Sequence, residues 1–194
     1  MTAIIRDYDP AQGQAFQGDV AIIPVPEGIE IAETDEIKPV DGRLILQEGE
    51  VTGHHHAVSI DPSVGRSANF ARNEAVALAG DPLQPILSAR AKARAARPAA
   101  ARTRLFRDRA AADAMVAAGV LERSDLCVGF LVVPPGQRTV VHEEHDGIRL
   151  PGGDGSTVQP DRNAWPKGYA FQAGRFYIGR QVESVGAEER RVAD

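Results

Sequence analysis

Two separated parts of the chain carry short apolar runs cut by turn residues, and the stretch between them has a different rhythm. Val20-Ala-Ile-Ile-Pro-Val25 and Arg43-Leu-Ile-Leu-Gln47 are β-branched or apolar runs, which predicts strands. Asp41-Gly42 just ahead of the second run predicts a hairpin turn. Residues 51–60 read as a further strand. Far along the chain the signal returns: Leu126–Val133 is continuously apolar, the pattern of a strand buried on both faces. Pro134-Pro-Gly136 is a turn, 138–144 a strand, Asp146-Gly147 a turn, and 151–168 a long Gly/Pro/Asp-rich loop. Strands over 169–172 and 175–185 follow, with a tight turn expected at Gly174. The tail from Gly186 to Asp194 is charged and has room for one edge strand.

Between about 66 and 122 the pattern is helical. Asn69–Ala79 ends at Gly80, and Asp81-Pro82 supplies an N-cap and a first-turn proline. Ile86–Arg97 holds only helix-tolerant residues and stops at Pro98. A further helix is expected over 101–118, with Gly119 at the C-terminal cap and Val120 as its hydrophobic contact. Residues 1–16 are polar and irregular, an expected N-terminal arm. The expected organisation is thus an arm (1–16), a β core (17–65 plus 123–194) and a helical insertion (66–122). Neither β part alone has strands enough for a stable core, so both must complete one sheet system. The fold class read from this is mainly β, a small sandwich or barrel with an α-helical insertion.

Composition narrows the class. A chain of 194 residues with 43% apolar and 25% charged residues has material for one folded domain and is not a disordered polymer. Nineteen glycines and 13 prolines against 5% aromatics suit many turns between short strands. A net charge of −5 gives no global attraction to nucleic acid or anionic membrane. The longest apolar run is too short to span a bilayer, and the N-terminus lacks a basic segment followed by an apolar one. The single cysteine, Cys127, has no internal disulfide partner and reads as a small buried hydrophobe. The expectation is a soluble, cytoplasmic protein in a reducing compartment.

All five histidines fall in two clusters, Gly53-His-His-His56 and His142-Glu-Glu-His145. On a strand, alternation puts His54, His56, Val58 and Ile60 on one face and His55 on the other. In the second cluster Val140, His142 and Glu144 share a face, while Glu143 points away. If the two inward faces meet, His54, His56, His142, Glu144 and His145 form a ligand set suited to a divalent transition metal such as zinc, iron, manganese or nickel. His142, Glu144 and His145 are then the candidate catalytic residues, since an ion with an open position activates water.

An H-x-H on one strand and a further histidine on a later one, with Gly49 ahead of the first cluster and Pro134-Pro-Gly136 ahead of the second, resembles the cupins. That resemblance implies a small β-barrel holding a metal. The glutamate that cupins carry shortly after the first pair has no counterpart, because 57–61 reads Ala-Val-Ser-Ile-Asp.

Three functions follow as expectations. The first is a metal-binding β protein, with metal-dependent hydrolysis as its activity. The second is a metal-free histidine acid–base enzyme acting on a phosphodiester, with Arg138, Arg149, Arg175 or Arg180 holding the phosphate. The paired Glu143 and Glu144 weigh against a polyanion there unless a cation neutralises them. The third is a non-enzymatic assembly protein, a phage or microbial structural component, in which the histidines only tie strands together. Its contact surface would be the basic segment 90–109, with eight Arg/Lys and one acid, +7 in a chain of −5. Self-association, giving a homo-oligomer, is the partner expected of that segment. Nucleic acid is weakly supported, because only Phe106 interleaves with the charges. Arg180 shares a face with Phe176, Ile178 and Val182, so it needs a partner such as Glu144 or Glu50, or must reach out to water.

Overall fold

The computed structural model describes residues 4–48, 55–60, 102–142, 144–185 and 188–191. The helices expected over 69–79 and 86–97 lie outside these residues, as do His54, Glu143 and most of the segment expected as an insertion.

Two sheets face each other as a sandwich. The first has the order β1 (Ile5–Asp7), β9 (Gly147–Pro151), β8 (Gln137–Val141), β5 (His55–Ser59), β4 (Arg43–Glu48). The second has the order β2 (Ala15–Gln17), β3 (Val20–Pro26), β11 (Phe171–Arg180), β7 (Cys127–Val132), β6 (Arg104–Phe106), with β10 (Thr157–Val158) paired to β11. A separate hairpin joins β12 (Val182–Val185) and β13 (Glu188–Arg191). The outcome is therefore the sandwich, not the closed barrel that the cupin resemblance implies. Of the stretch expected as an arm, residues 5–7 pair parallel with β9 and 15–17 pair antiparallel with β3.

Strand alternation divides the apolar residues between two cores. Val20, Ile22, Leu105, Leu131, Phe176 and Ile178 of the second sheet meet Leu44, Leu46, Val58, Val140, Ile148 and Leu150 of the first. Burial of each such side chain contributes about 1.5–3 kcal/mol. The intervening residues Ile23, Val25, Phe106, Phe130 and Tyr177 face outward and are covered by Ala111, Ala112 and Met115 of helix α1 (Arg109–Ala117). This is why β3 reads as an unbroken apolar run: both its faces are buried.

The helix expected over 101–118 starts later, at Arg109. Leu105 and Phe106 are pulled into the sheet, opposite Leu131 and Phe130, and Asp108 caps the helix by accepting a hydrogen bond from the Ala111 N–H at 2.9 Å. The other Asp108 oxygen accepts from the Ala32 N–H at 2.6 Å. At the far end the expected cap holds: Val120 is buried, and its N–H donates to the Met115 carbonyl at 2.9 Å.

Gly174 is not a turn between two strands. It lies within the continuous β11 at φ 70°, where the register shifts between Phe171 and Phe176. A Cβ at this position would collide with the backbone of Gly153 and with the Val133 carbonyl, so the bulge depends on glycine. Finally, the chain leaves β5 and returns to β6 through one point, where the Thr103 N–H donates to the Ile60 carbonyl at 3.2 Å.

Candidate metal centre

The β5–β8 ladder builds the site. Ala57 faces Val141 and Val58 faces Val140. One step further along the same inner face come His56 and His142, both buried. The apolar side chains of Val58 and Val140 end there, so the two imidazoles close that end of the core. His145 follows three residues after His142, in the short connection to β9, and its ring is half-buried.

Among the described residues, His56, His142 and His145 form a group whose ligand atoms all lie within 4.8 Å of one another. Their rings are nearly parallel. His56 and His142 have centroids 4.2 Å apart at 21°, His142 and His145 are 4.6 Å apart at 24°, and His56 and His145 are 5.8 Å apart at 15°. An ion lies in the plane of each imidazole that binds it. Rings this close to parallel do not aim at one point, so joint coordination entails turning at least one of them about its side-chain bonds. The His142 Nδ1 accepts a hydrogen bond from the Glu144 N–H at 3.1 Å. In the neutral ring this leaves the proton on Nε2, and His142 offers a lone pair only once that arrangement changes.

Two residues that the sequence did not single out complete the surroundings. Gln17 is the last residue of β2 and Asp19 the second of the two-residue turn Gly18-Asp19 that joins β2 to β3, and both are buried. The Gln17 Oε1 lies 3.1 Å from His56 Nδ1, and the Asp19 Oδ1 lies 2.9 Å from His56 Nε2. Gly18-Asp19 reads in the sequence as the polar turn before a strand. Only the facing of the two sheets turns that hairpin tip inward.

The structure thus brings together His56, His142 and His145. Glu144 is exposed and is not one of the three. His55 stands half-buried on the neighbouring position of β5, where alternation turns it from the inner face. Arg180 Nε donates to Gln47 Oε1 at 2.9 Å, and Glu50, one of its two expected partners, lies outside the described residues. Arg149 pairs with Asp7 at 2.8 Å and Arg175 with Glu33 at 3.3 Å. Cys127 takes no part, and burial pushes its thiol up to about 11.

Residues 16–85 match the family described as "Domain of unknown function (DUF8820)". That span holds Gln17, Asp19 and the first histidine cluster, and stops short of His142 and His145. No curated protein and no solved structure matches the chain. No helix among the described residues is long and apolar enough to cross a membrane.

Proposed function

We propose that the protein binds a divalent transition metal (zinc, iron, manganese or nickel) through His56, His142 and His145. One observation carries the reading: nitrogens of three imidazoles, from two segments far apart in sequence, lie within 4.8 Å of one another with two of the rings buried. Neutral imidazole is the usual nitrogen ligand of these ions. Three protein ligands leave a coordination position open, where an ion activates water or polarises a carbonyl or phosphoryl oxygen. The activity that follows is hydrolysis of an ester or phosphoester, with Glu144, an exposed residue two positions after His142, as the carboxylate that moves a proton.

The experiment is elemental analysis of the purified, untagged chain beside a His56→Ala/His142→Ala double variant. About one metal ion per chain is expected in the parent and none in the variant. A parent that retains none after loading with excess zinc removes the reading. Hydrolysis of p-nitrophenyl acetate and of bis-p-nitrophenyl phosphate, each with and without chelator, tests the activity.

A different observation favours the metal-free reading. At 2.9 Å the His56 Nε2 and the Asp19 carboxylate are close enough to share a proton, as a general acid–base pair does. Activity that survives chelation and follows a bell-shaped pH profile selects it. Arg149, Arg175 and Arg180, expected to hold a phosphate, are engaged with Asp7, Glu33 and Gln47.

A further inference from the structure

We propose that the cavity between β1 and β2, at one edge of the sandwich, binds a compact organic ammonium ion, and that Asp9 pairs with its charge. None of the lining residues belongs to either histidine cluster, so the metal reading is not needed for this site.

β1 and β2 are the outermost strands of their sheets, and residues 8–14 carry the chain from one to the other. A cavity of about 280 Å³ lies along this crossing. Ligand cavities span roughly 300–1,000 Å³, so the occupant of this one is small. Three of its lining residues, Tyr8, Ala15 and Ile148, belong to the core between the sheets or pack on it. The cavity therefore reaches apolar side chains. Phe16 also lines it and is 43% exposed. A ligand with an apolar body covers that ring and removes its surface from water.

The charges select the occupant. Arg6, Asp7 and Asp9 are the charged residues of the lining. Arg6 lies 3.8 Å from Asp146, and Asp7 accepts a hydrogen bond from Arg149 at 2.8 Å, so each has an opposite charge outside the cavity. Asp9 pairs with no cation among the described residues. Its carboxylate caps the short 3-10 turn Pro10–Gln12 by accepting from the Ala11 N–H at 3.0 Å. One negative charge is thus left over at the cavity. Its field reaches the neighbouring ring: burial, and after it the charge of Asp9, push the Tyr8 hydroxyl well above the ordinary phenol range. The Tyr8 hydroxyl stays neutral and donates to the Gly13 carbonyl. A field that disfavours a phenolate favours a cation. Aromatic rings such as those of Tyr8 and Phe16 add attraction for an ammonium group. The amide oxygens of Gln12 and Gln14, both in the lining, are acceptors for its N–H groups. An anion would meet two carboxylates and only one cation, Arg6, which already has Asp146 beside it.

The test uses the full 15N-labelled chain in EDTA, so that no metal carries the response, and three probes of similar shape: benzylamine, benzyl alcohol and benzoate. Benzylamine is expected to shift the backbone amides of residues 6–9 and 12–16 in 1H–15N correlation spectra, saturably, and to bind more weakly as salt is raised. Benzyl alcohol is expected to bind at least about 5-fold more weakly, and benzoate more weakly still. Asp9→Asn keeps an acceptor for the Ala11 N–H and removes only the charge. It is expected to weaken benzylamine about 5–10-fold and to leave benzyl alcohol unchanged, which also shows that the cavity is intact. Phe16→Ala is expected to weaken amine and alcohol alike, by about 2–10-fold. Shifts that are absent, or scattered over the surface, overturn the site. Benzoate bound more tightly than benzylamine by the parent overturns the choice of a cation, with no variant needed. Equal benzylamine affinity in the parent and Asp9→Asn overturns the role of Asp9.

Discussion

The imidazole of His142 lies over that of His56, with ring centroids 4.2 Å apart. The contact is a consequence of register. Val58 and Ala57 face Val140 and Val141 across β5 and β8, so the next step along both strands delivers the two histidines to one spot. His55, one residue away, is turned from it by the pleat. Replacing His56 or His142 by alanine is therefore expected to abolish metal uptake, whereas His55→Ala is expected to keep it. Metal content per chain measured on the three single variants decides this, and uptake by His56→Ala equal to the parent would sink the assignment.

Metal binding is also expected to raise stability, because an unfolded chain does not hold the three nitrogens together. With free zinc at about 100 times the dissociation constant, the gain is about 2.7 kcal/mol. It should appear as a rise in unfolding midpoint that the His56→Ala/His142→Ala variant lacks.

Asp108 performs two tasks, capping α1 at Ala111 and fastening the loop at Ala32. Loss of a cap costs about 0.5–2 kcal/mol. Asp108→Ala is expected to lower stability by about 1–3 kcal/mol once the bond to Ala32 is included. Urea unfolding followed by far-ultraviolet circular dichroism reads the change, and an unshifted midpoint would contradict it.

Gly174→Ala is expected to be far more damaging. Its positive φ and the closeness of Gly153 leave a Cβ no space within the bulge of β11. The cost exceeds the roughly 1 kcal/mol of an unfavourable backbone conformation alone. Soluble yield and thermal midpoint compared with the parent provide the check.

Cys127 supplies a pH prediction. Burial favours the neutral thiol and lifts its pKa from 9.0 to about 11. The folded pKa lies above the unfolded one, so this contribution to stability is present below pH 9 and lost as pH rises towards about 11. Alkylation by iodoacetamide at pH 8 is accordingly expected to be slower in the folded chain than in urea. Equal rates would show that the thiol is not shielded.

Much of the frame was legible because the relevant signals are local. Asp41 and Gly42 both take positive φ, at 48° and 75°, between residues bonded to each other, Val40 and Arg43. The apolar runs at 20–25, 43–47 and 126–133 became β3, β4 and β7 with shifts of one residue at their ends. The site was legible as far as alternation reaches: His56 with Val58, and His142 with Val140. What stayed hidden depends on contacts between distant segments. Residues 104–106 look helix-tolerant beside Ala110–Ala112, and only the pairing of Phe106 with Phe130 makes them a strand. Gln17 and Asp19 look like any polar hairpin tip until the opposite sheet is set against them. Gly174 carries the same letter in a turn and in a bulge.

The hydrogen bond from Thr103 to Ile60 has a consequence for the plasticity of the chain. The two ends stand within hydrogen-bonding distance of each other, a narrow doorway that a short bridge can span. Closing a loop grows dearer only with the logarithm of its length, by about 0.6 kcal/mol per doubling. Bridging Ile60 to Thr103 with a few glycines and serines is therefore expected to yield a miniature of the protein that still loads metal. The same doorway would accept foreign cargo, a fluorescent domain or an epitope, without disturbing the histidines below it.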